Sequence, residues 1–172
     1  MSGKKILLVD DEPSFLQVYA TRLKATGFEV CTASNGEDAL RKIQTEKPDL
    51  IILDVLMPKL SGYAAAQKIR ETAETKKLPM IMMSGKSGMR EFCEGLSDVE
   101  FLRKPFEAET LIERAEHLLK IHREKSSRAK TAVLLGVEDS LTKKIGDLLC
   151  VLGYKVRIAL NEEDAFQCAR QD

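Results

Sequence analysis

Pro48-Asp49-Leu50-Ile51-Ile52-Leu53-Asp54-Val55-Leu56-Met57-Pro58-Lys59-Leu60-Ser61-Gly62 decides how the chain reads. Four consecutive apolar residues, Leu50 to Leu53, run into one acid and then into a loop rich in Pro and Gly. A short continuous apolar run of this kind describes a strand buried on both faces, as inside a parallel sheet covered by helices. Ligands of open α/β sheets bind where the carboxyl ends of strands open into loops, which is where Asp54 stands. Taken alone, Asp54 reads more readily as a solvated loop acid that caps the following turn.

Three further segments end in the same way. Ile6-Leu7-Leu8-Val9 leads into Asp10-Asp11-Glu12, after which Pro13 opens a helix; Pro is tolerated in a first turn because its missing N–H would be unpaired there. Leu78-Pro79-Met80-Ile81-Met82-Met83 leads into Ser84-Gly85, and Val99-Glu100-Phe101-Leu102-Arg103 into Lys104-Pro105-Phe106. The strand ends therefore carry an acid pair, an acid, a hydroxyl and a lysine. Three clustered carboxylates repel one another, and a divalent cation with oxygen ligands relieves that repulsion.

On these residues the chain from Lys4 to His122 resembles the receiver domain of two-component response regulators. The resemblance is carried by Asp10-Asp11, by Asp54 with Met57-Pro58 and Gly62, by Ser84, and by Lys104-Pro105. Ser84 follows Asp54 by 30 residues (84 − 54) and Lys104 follows Ser84 by 20 (104 − 84). It implies that Asp54 is the phosphoacceptor of a phosphorylation-dependent switch or phosphorelay, a carboxylate able to attack a phosphohistidine. It also implies Mg²⁺ held by Asp11, Asp54 and the backbone carbonyl of Leu56, with Asp10 acting through water or hydrogen bonds. Lys104 would supply a point charge to the phosphoryl group. Ser84 and Phe101 would form a switch pair that alters the face of the fourth helix, fifth strand and fifth helix; Phe101 reads otherwise as a core aromatic. The implied partners are a sensor histidine kinase or phosphotransfer protein and a downstream reader protein. On this reading the chain is no enzyme toward other substrates, catalysing only its own phosphoryl transfer and a slow autodephosphorylation. The alternative is a non-phosphorylating interaction scaffold on the same fold.

The remaining elements follow by period. Phe15, Leu16, Tyr19 and Leu23, with Val18 beside them, mark a helix ended by Gly27. Phe28 to Ala33 alternates as a strand, Asn35-Gly36 makes a turn, and Ala39, Leu40 and Ile43 mark a short helix. Ala64, Ala65, Ala66, Ile69 and Ala73 form an Ala-rich helix, a weakly patterned one covers Met89 to Leu96 with Phe92 and Cys93, and another starts near Glu107. Five strands alternating with five helices give an α/β, doubly wound, five-stranded parallel sheet of flavodoxin-like order 2-1-3-4-5, with Asp54 at the switch point.

The chain thus divides into a receiver domain (1–122), a linker or helix extension (123–130) and a segment 131–172 that repeats the opening. At an offset of 126, Ile6 to Val9 falls on Ala132 to Leu135, Gly27-Phe28 on Gly153-Tyr154, and Asn35 on Asn161. Asp10-Asp11 falls on Gly136-Val137, so this βαβα half-domain lacks the acid pair, and no counterpart of Asp54 follows. It reads as a degenerate receiver used for docking or as the cut end of a longer protein, and its apolar surface is expected to lie against a second copy, with docking on the first receiver of the same chain as the next choice.

Composition adds bounds. Among 172 residues, Lys+Arg and Asp+Glu both number 27, so no global charge argues for nucleic-acid binding. Cys31, Cys93, Cys150 and Cys168 have no paired spacing and read as reduced packing residues. The apolar run after the first lysines is too short for a signal peptide, no stretch approaches a membrane span, and a cytoplasmic location is expected.

Overall fold

The computed structural model describes residues 3–86, 96, 99–127, 131–135, 140–151, 154–159, 161 and 163–165. The helix expected over Met89 to Leu96 lies outside them, Leu96 excepted, as do Phe92, Cys93 and Cys168. By its contacts the chain forms two compact units, Met1–His122 and Arg123–Asp172.

The first unit runs β1 (Lys5–Val9), α1 (Pro13–Ala25), β2 (Glu29–Ala33), α2 (Gly36–Glu46), β3 (Leu50–Asp54), α3 (Gly62–Glu71), β4 (Met80–Ser84), β5 (Val99–Arg103) and α4 (Ala108–Ser127), the last turn of which, from Arg123 on, falls in the second unit. Its five strands form one sheet in the order β2-β1-β3-β4-β5, and every pair is parallel. All five residues of β3 and of β4 are buried, which is why both read as unbroken apolar runs. The strand period of two then sorts their side chains into two cores. Leu7, Val9, Ile51, Leu53, Met80 and Met82 pack on one side with Ala39 and Ile43 of α2 and Ala65, Ala66 and Ile69 of α3. Ile6, Leu8, Leu50, Ile52, Ile81 and Met83 pack on the other with Ala20 and Leu23 of α1 and Leu111, Ala115 and Leu119 of α4. Each fully buried aliphatic side chain contributes about 1.5–3 kcal/mol, so the two cores hold the strand ends in register.

Several boundaries differ from the sequence reading, each for a local reason. Val18 is exposed and belongs to the solvent face of α1. Asn35 does not sit in a free turn: its side chain caps α2 by accepting from the Asp38 N–H at 3.0 Å, and Gly36 is the first helical residue. Helix α3 stops at Glu71, because Thr72 turns to extended backbone, which leaves Ala73 outside and exposed. Leu78 and Pro79 precede β4, and Cys150 is exposed where a packing residue was expected.

The second unit contains β6 (Thr131–Leu135), α5 (Ser140–Val151) and β7 (Lys155–Ala159), with β6 and β7 parallel. Residues 163–165 are helical. No helix among the described residues is long and apolar enough to cross a membrane.

Candidate functional site

The sheet ladder continues one step past the ends of the strands, and this fixes the site. The Asp10 N–H donates to the Ala33 carbonyl at 3.2 Å, the Val55 N–H to Met83 at 2.9 Å, and the Lys104 N–H to Ser84 at 2.9 Å. Asp10, Asp54 and Lys104 are thus presented from rigid backbone at the carboxyl edge, on both sides of the point where the strand order reverses.

Gly62 makes the loop after β3 possible. Its N–H donates to the Val55 carbonyl at 3.0 Å, and a Cβ there would lie 1.8 Å from the Asp54 carbonyl oxygen. Only a residue without a side chain allows α3 to start so close behind the acid. Ser61 caps that helix, its Oγ accepting from the Ala64 N–H at 3.3 Å.

The structure brings Asp10, Asp11 and Asp54 together: one carboxylate oxygen from each lies within 4.8 Å of the others. Asp10 and Asp54 are buried, whereas Asp11 is exposed. The Lys104 ammonium donates to Asp10 Oδ2 at 2.5 Å and to Asp54 Oδ2 at 3.0 Å. The second oxygens are used as well, Asp10 Oδ1 accepting from the Glu12 N–H at 3.0 Å and Asp54 Oδ1 from the Leu56 N–H at 3.2 Å.

Burial pushes the Asp54 carboxyl above its usual range; the Lys104 ammonium and the Leu56 N–H oppose that shift only in part. For Lys104, burial disfavours the charged form, but the hydrogen bonds and attraction of Asp10 and Asp54 prevail and hold the ammonium above the ordinary lysine range. One ammonium against three ionised carboxylates leaves two negative charges uncompensated. A hard divalent cation such as Mg²⁺ fits that donor set and that charge deficit.

Ser84 is fully buried at the end of β4, and its Oγ accepts from the Lys86 N–H at 3.1 Å. Phe101 stands opposite Met82 in the β4–β5 register, half-buried and packed against the core on the α2–α3 side. Ser84 therefore lies at the carboxyl edge, while Phe101 lies within β5. Leu56, two residues after Asp54, leaves 49% of its surface exposed beside the acids.

A cluster of aromatic residues belongs to the site although its pattern reads as core. The Lys104 ammonium lies 4.4 Å from the centroid of the Phe15 ring. Phe15 stacks on Tyr19 with centroids 4.1 Å apart, and both meet Phe106 edge-on at 6.1 and 5.5 Å. The Tyr19 hydroxyl donates to the Phe106 carbonyl at 2.8 Å. The available signal was position: Phe15 follows the acid pair by one helical turn, and Phe106 follows Lys104-Pro105 directly.

The doubly wound parallel sheet thus carries an acid triplet and a lysine at its switch point. The family model described as the response regulator receiver domain matches residues 6–116, and the chain belongs to that family of two-component signalling domains. It is 40% identical over 122 residues to a probable transcriptional regulator ycf27 of Cyanophora paradoxa, an alignment covering 70% of this chain and 50% of that protein. The chain spans about half the length of that curated relative and of the regulatory protein PhoP of Bacillus subtilis, to which it is 38% identical over 120 residues. Among solved structures it resembles the chemotaxis protein CheY4 of Vibrio cholerae, with 32% identity and a TM-score of 0.63 over 67% of this chain and 98% of that one. It also resembles the response regulator TrrA of Thermotoga maritima, solved in complex with Mg²⁺ and BeF, with 35% identity and a TM-score of 0.61 over 67% of this chain and 98% of the other.

Proposed function

We propose that this chain is a phosphorylation-dependent signalling switch that receives a phosphoryl group on Asp54. The observation that carries the reading is the convergence of three carboxylates and one ammonium at the end of a fully buried strand. An Asp54 carboxylate oxygen attacks the phosphorus of a phosphohistidine. The O–P bond forms as the N–P bond breaks, and the imidazole nitrogen keeps the electron pair. Asp54 Oδ2 is engaged by Lys104 before transfer, so the ammonium has to move from that oxygen to the phosphoryl oxygens as they arrive. Asp11, Asp54 and the backbone carbonyl of Leu56 would hold Mg²⁺, with Asp10 supporting it through water or hydrogen bonds. The chemistry that Mg²⁺ supplies when bound is neutralisation of charge on the transferring oxygens. Ser84 would turn its hydroxyl to the new phosphoryl group, and Phe101 would shift with it, changing the surface built by β5 and α4.

The donor is a sensor histidine kinase or a phosphotransfer protein and the recipient of the signal is a reader protein, all meeting the chain in the cytoplasm. The domain acts on no other substrate; it catalyses its own phosphoryl transfer and a slow autodephosphorylation. Incubation with acetyl phosphate or phosphoramidate and Mg²⁺, followed by intact mass, tests this. Wild type should gain one phosphoryl group and Asp54→Asn none. A wild-type chain that takes up no phosphoryl group would be a scaffold on the receiver fold instead.

A further inference from the structure

We propose that Phe15 is a positioning residue for phosphoryl transfer: its ring face holds the Lys104 ammonium in place over the acids. This rests on the phosphoacceptor reading above. Three groups surround that ammonium, namely Asp10 at 2.5 Å, Asp54 at 3.0 Å and the ring centroid of Phe15 at 4.4 Å. The carboxylates pull the cation toward the floor of the site, and the ring attracts it through its negative face from another side. The ring contact, unlike the Asp54 hydrogen bond, need not be given up when Lys104 exchanges the Asp54 oxygen for a phosphoryl oxygen. The lysine is a point charge on a flexible four-carbon stem, with no geometry of its own to hold it. A neutral π face steadies it without competing with the phosphoryl group for the ammonium, which a third carboxylate would do.

The ring is itself held. Phe15 stacks on Tyr19, one helical turn along α1, and both pack edge-on against Phe106. The Tyr19 hydroxyl bonds to the Phe106 carbonyl at 2.8 Å, which ties α1 to the loop that carries Lys104. The peptide between Lys104 and Pro105 is cis. Helix α1 thereby acts on the lysine twice, through the Phe15 ring and through the Tyr19–Phe106 hydrogen bond. An ordinary core aromatic in this position would need neither an ammonium over its face nor a neighbour bonded to the lysine's own loop.

The experiment compares initial rates of Asp54 phosphorylation by phosphoramidate and Mg²⁺, read by intact mass, in chains whose thermal melting is measured alongside. Phe15 is replaced in turn by mono-, di- and trifluorophenylalanine, which weaken the negative ring face while nearly preserving its shape. The rate should fall stepwise with fluorine number, by about tenfold across the series, with melting unchanged. Phe15→Leu should lose about as much, and Phe15→Tyr, which keeps the ring, should keep most of the rate. In a Lys104→Met background the fluorinated series should be flat, because the cation is gone. A flat series with Lys104 present, or an equal slope with and without Lys104, would overturn this inference alone. No labelling of the wild-type chain at all would overturn it together with the phosphoacceptor reading.

Discussion

Segments β1-α1-β2 and β6-α5-β7 have nearly the same geometry and opposite chemical content. At an offset of 126 (131 − 5) the strand registers coincide residue for residue, from Lys5 opposite Glu29 and Thr131 opposite Lys155 to Val9 opposite Ala33 and Leu135 opposite Ala159. The helix exits match, the Phe28 N–H donating to Leu23 and the Tyr154 N–H to Leu149. The next caps match too: Asn35 accepts from Asp38 at 3.0 Å and Asn161 from Asp164 at 2.9 Å. Apolar pattern, turn and cap are therefore enough to rebuild the scaffold, and none of them brings the chemistry. The chemistry proposed above would rest on Asp10-Asp11, for which the second segment has Gly136-Val137, and on the strands that follow. The surroundings differ as well. Phe15 and Tyr19 are partly buried and pack against a core, whereas their counterparts Leu141 and Ile145 are 64% and 40% exposed, in line with Leu148 at 60% and Val151 at 84%.

The sharpest way to break this comparison uses a glycine from each region. Gly62→Ala places a Cβ on the Asp54 carbonyl, so it should destabilise the first unit by about 3 kcal/mol or more and abolish phosphorylation. Gly146→Ala would meet Val156 and Leu134 only at 3.6 and 3.8 Å, an ordinary contact, at the helix position where α1 has Ala20. It should stabilise the second unit by up to about 1 kcal/mol. Thermal melts of both variants check the pair.

Exposure of the α5 stripe gives the next expected effect. Among the described residues the second unit has two strands, α5 and large apolar side chains in water, and domains of so few residues are marginal in covering their own core. The full chain should be a dimer by light scattering, and a chain ending at Ser127 a monomer. A monomeric full chain with a protease-resistant tail would reject pairing between copies.

Leu56 then probes the lifetime of the signal. Its side chain cannot hydrogen-bond an attacking water, and it stands exposed two residues after Asp54. Leu56→Asn should speed loss of the phosphoryl group by about tenfold, an effect of about 1.4 kcal/mol on the barrier. Unchanged or slower decay would remove Leu56 from the account of persistence. The smallest effect concerns the caps. Asn35→Ala should cost the first unit about 1 kcal/mol, and Asn161→Ala, at an exposed position, less.

Most of the fold was legible because it depends on local signals. Leu50 to Leu53 had to be a strand covered on both faces, and an acid, a hydroxyl and a lysine at neighbouring strand ends had to meet at one edge. What stayed hidden depends on the packing of distant elements. Nothing in the spacing of Phe15 and Tyr19 separates a core stripe from a ring under an ammonium, because the partner lies about ninety residues away. Gly62 was recognisable as part of a motif, but its close approach to the Asp54 carbonyl emerges only once β3 and the start of α3 are folded together. Val18 has an apolar side chain on a solvent face, which hydrophobicity alone misassigns.

The most direct measurement maps the phosphoryl group. After incubation with phosphoramidate and Mg²⁺, borohydride converts an aspartyl phosphate to homoserine, and peptide mapping locates the reduced residue. Homoserine should appear at position 54 alone, with none at Asp139, Asp147 or Asp164 of the second unit. Reduction at any of those acids, or label that persists in Asp54→Asn, would contradict the claim that the chemistry resides in the acid and lysine cluster of the first unit.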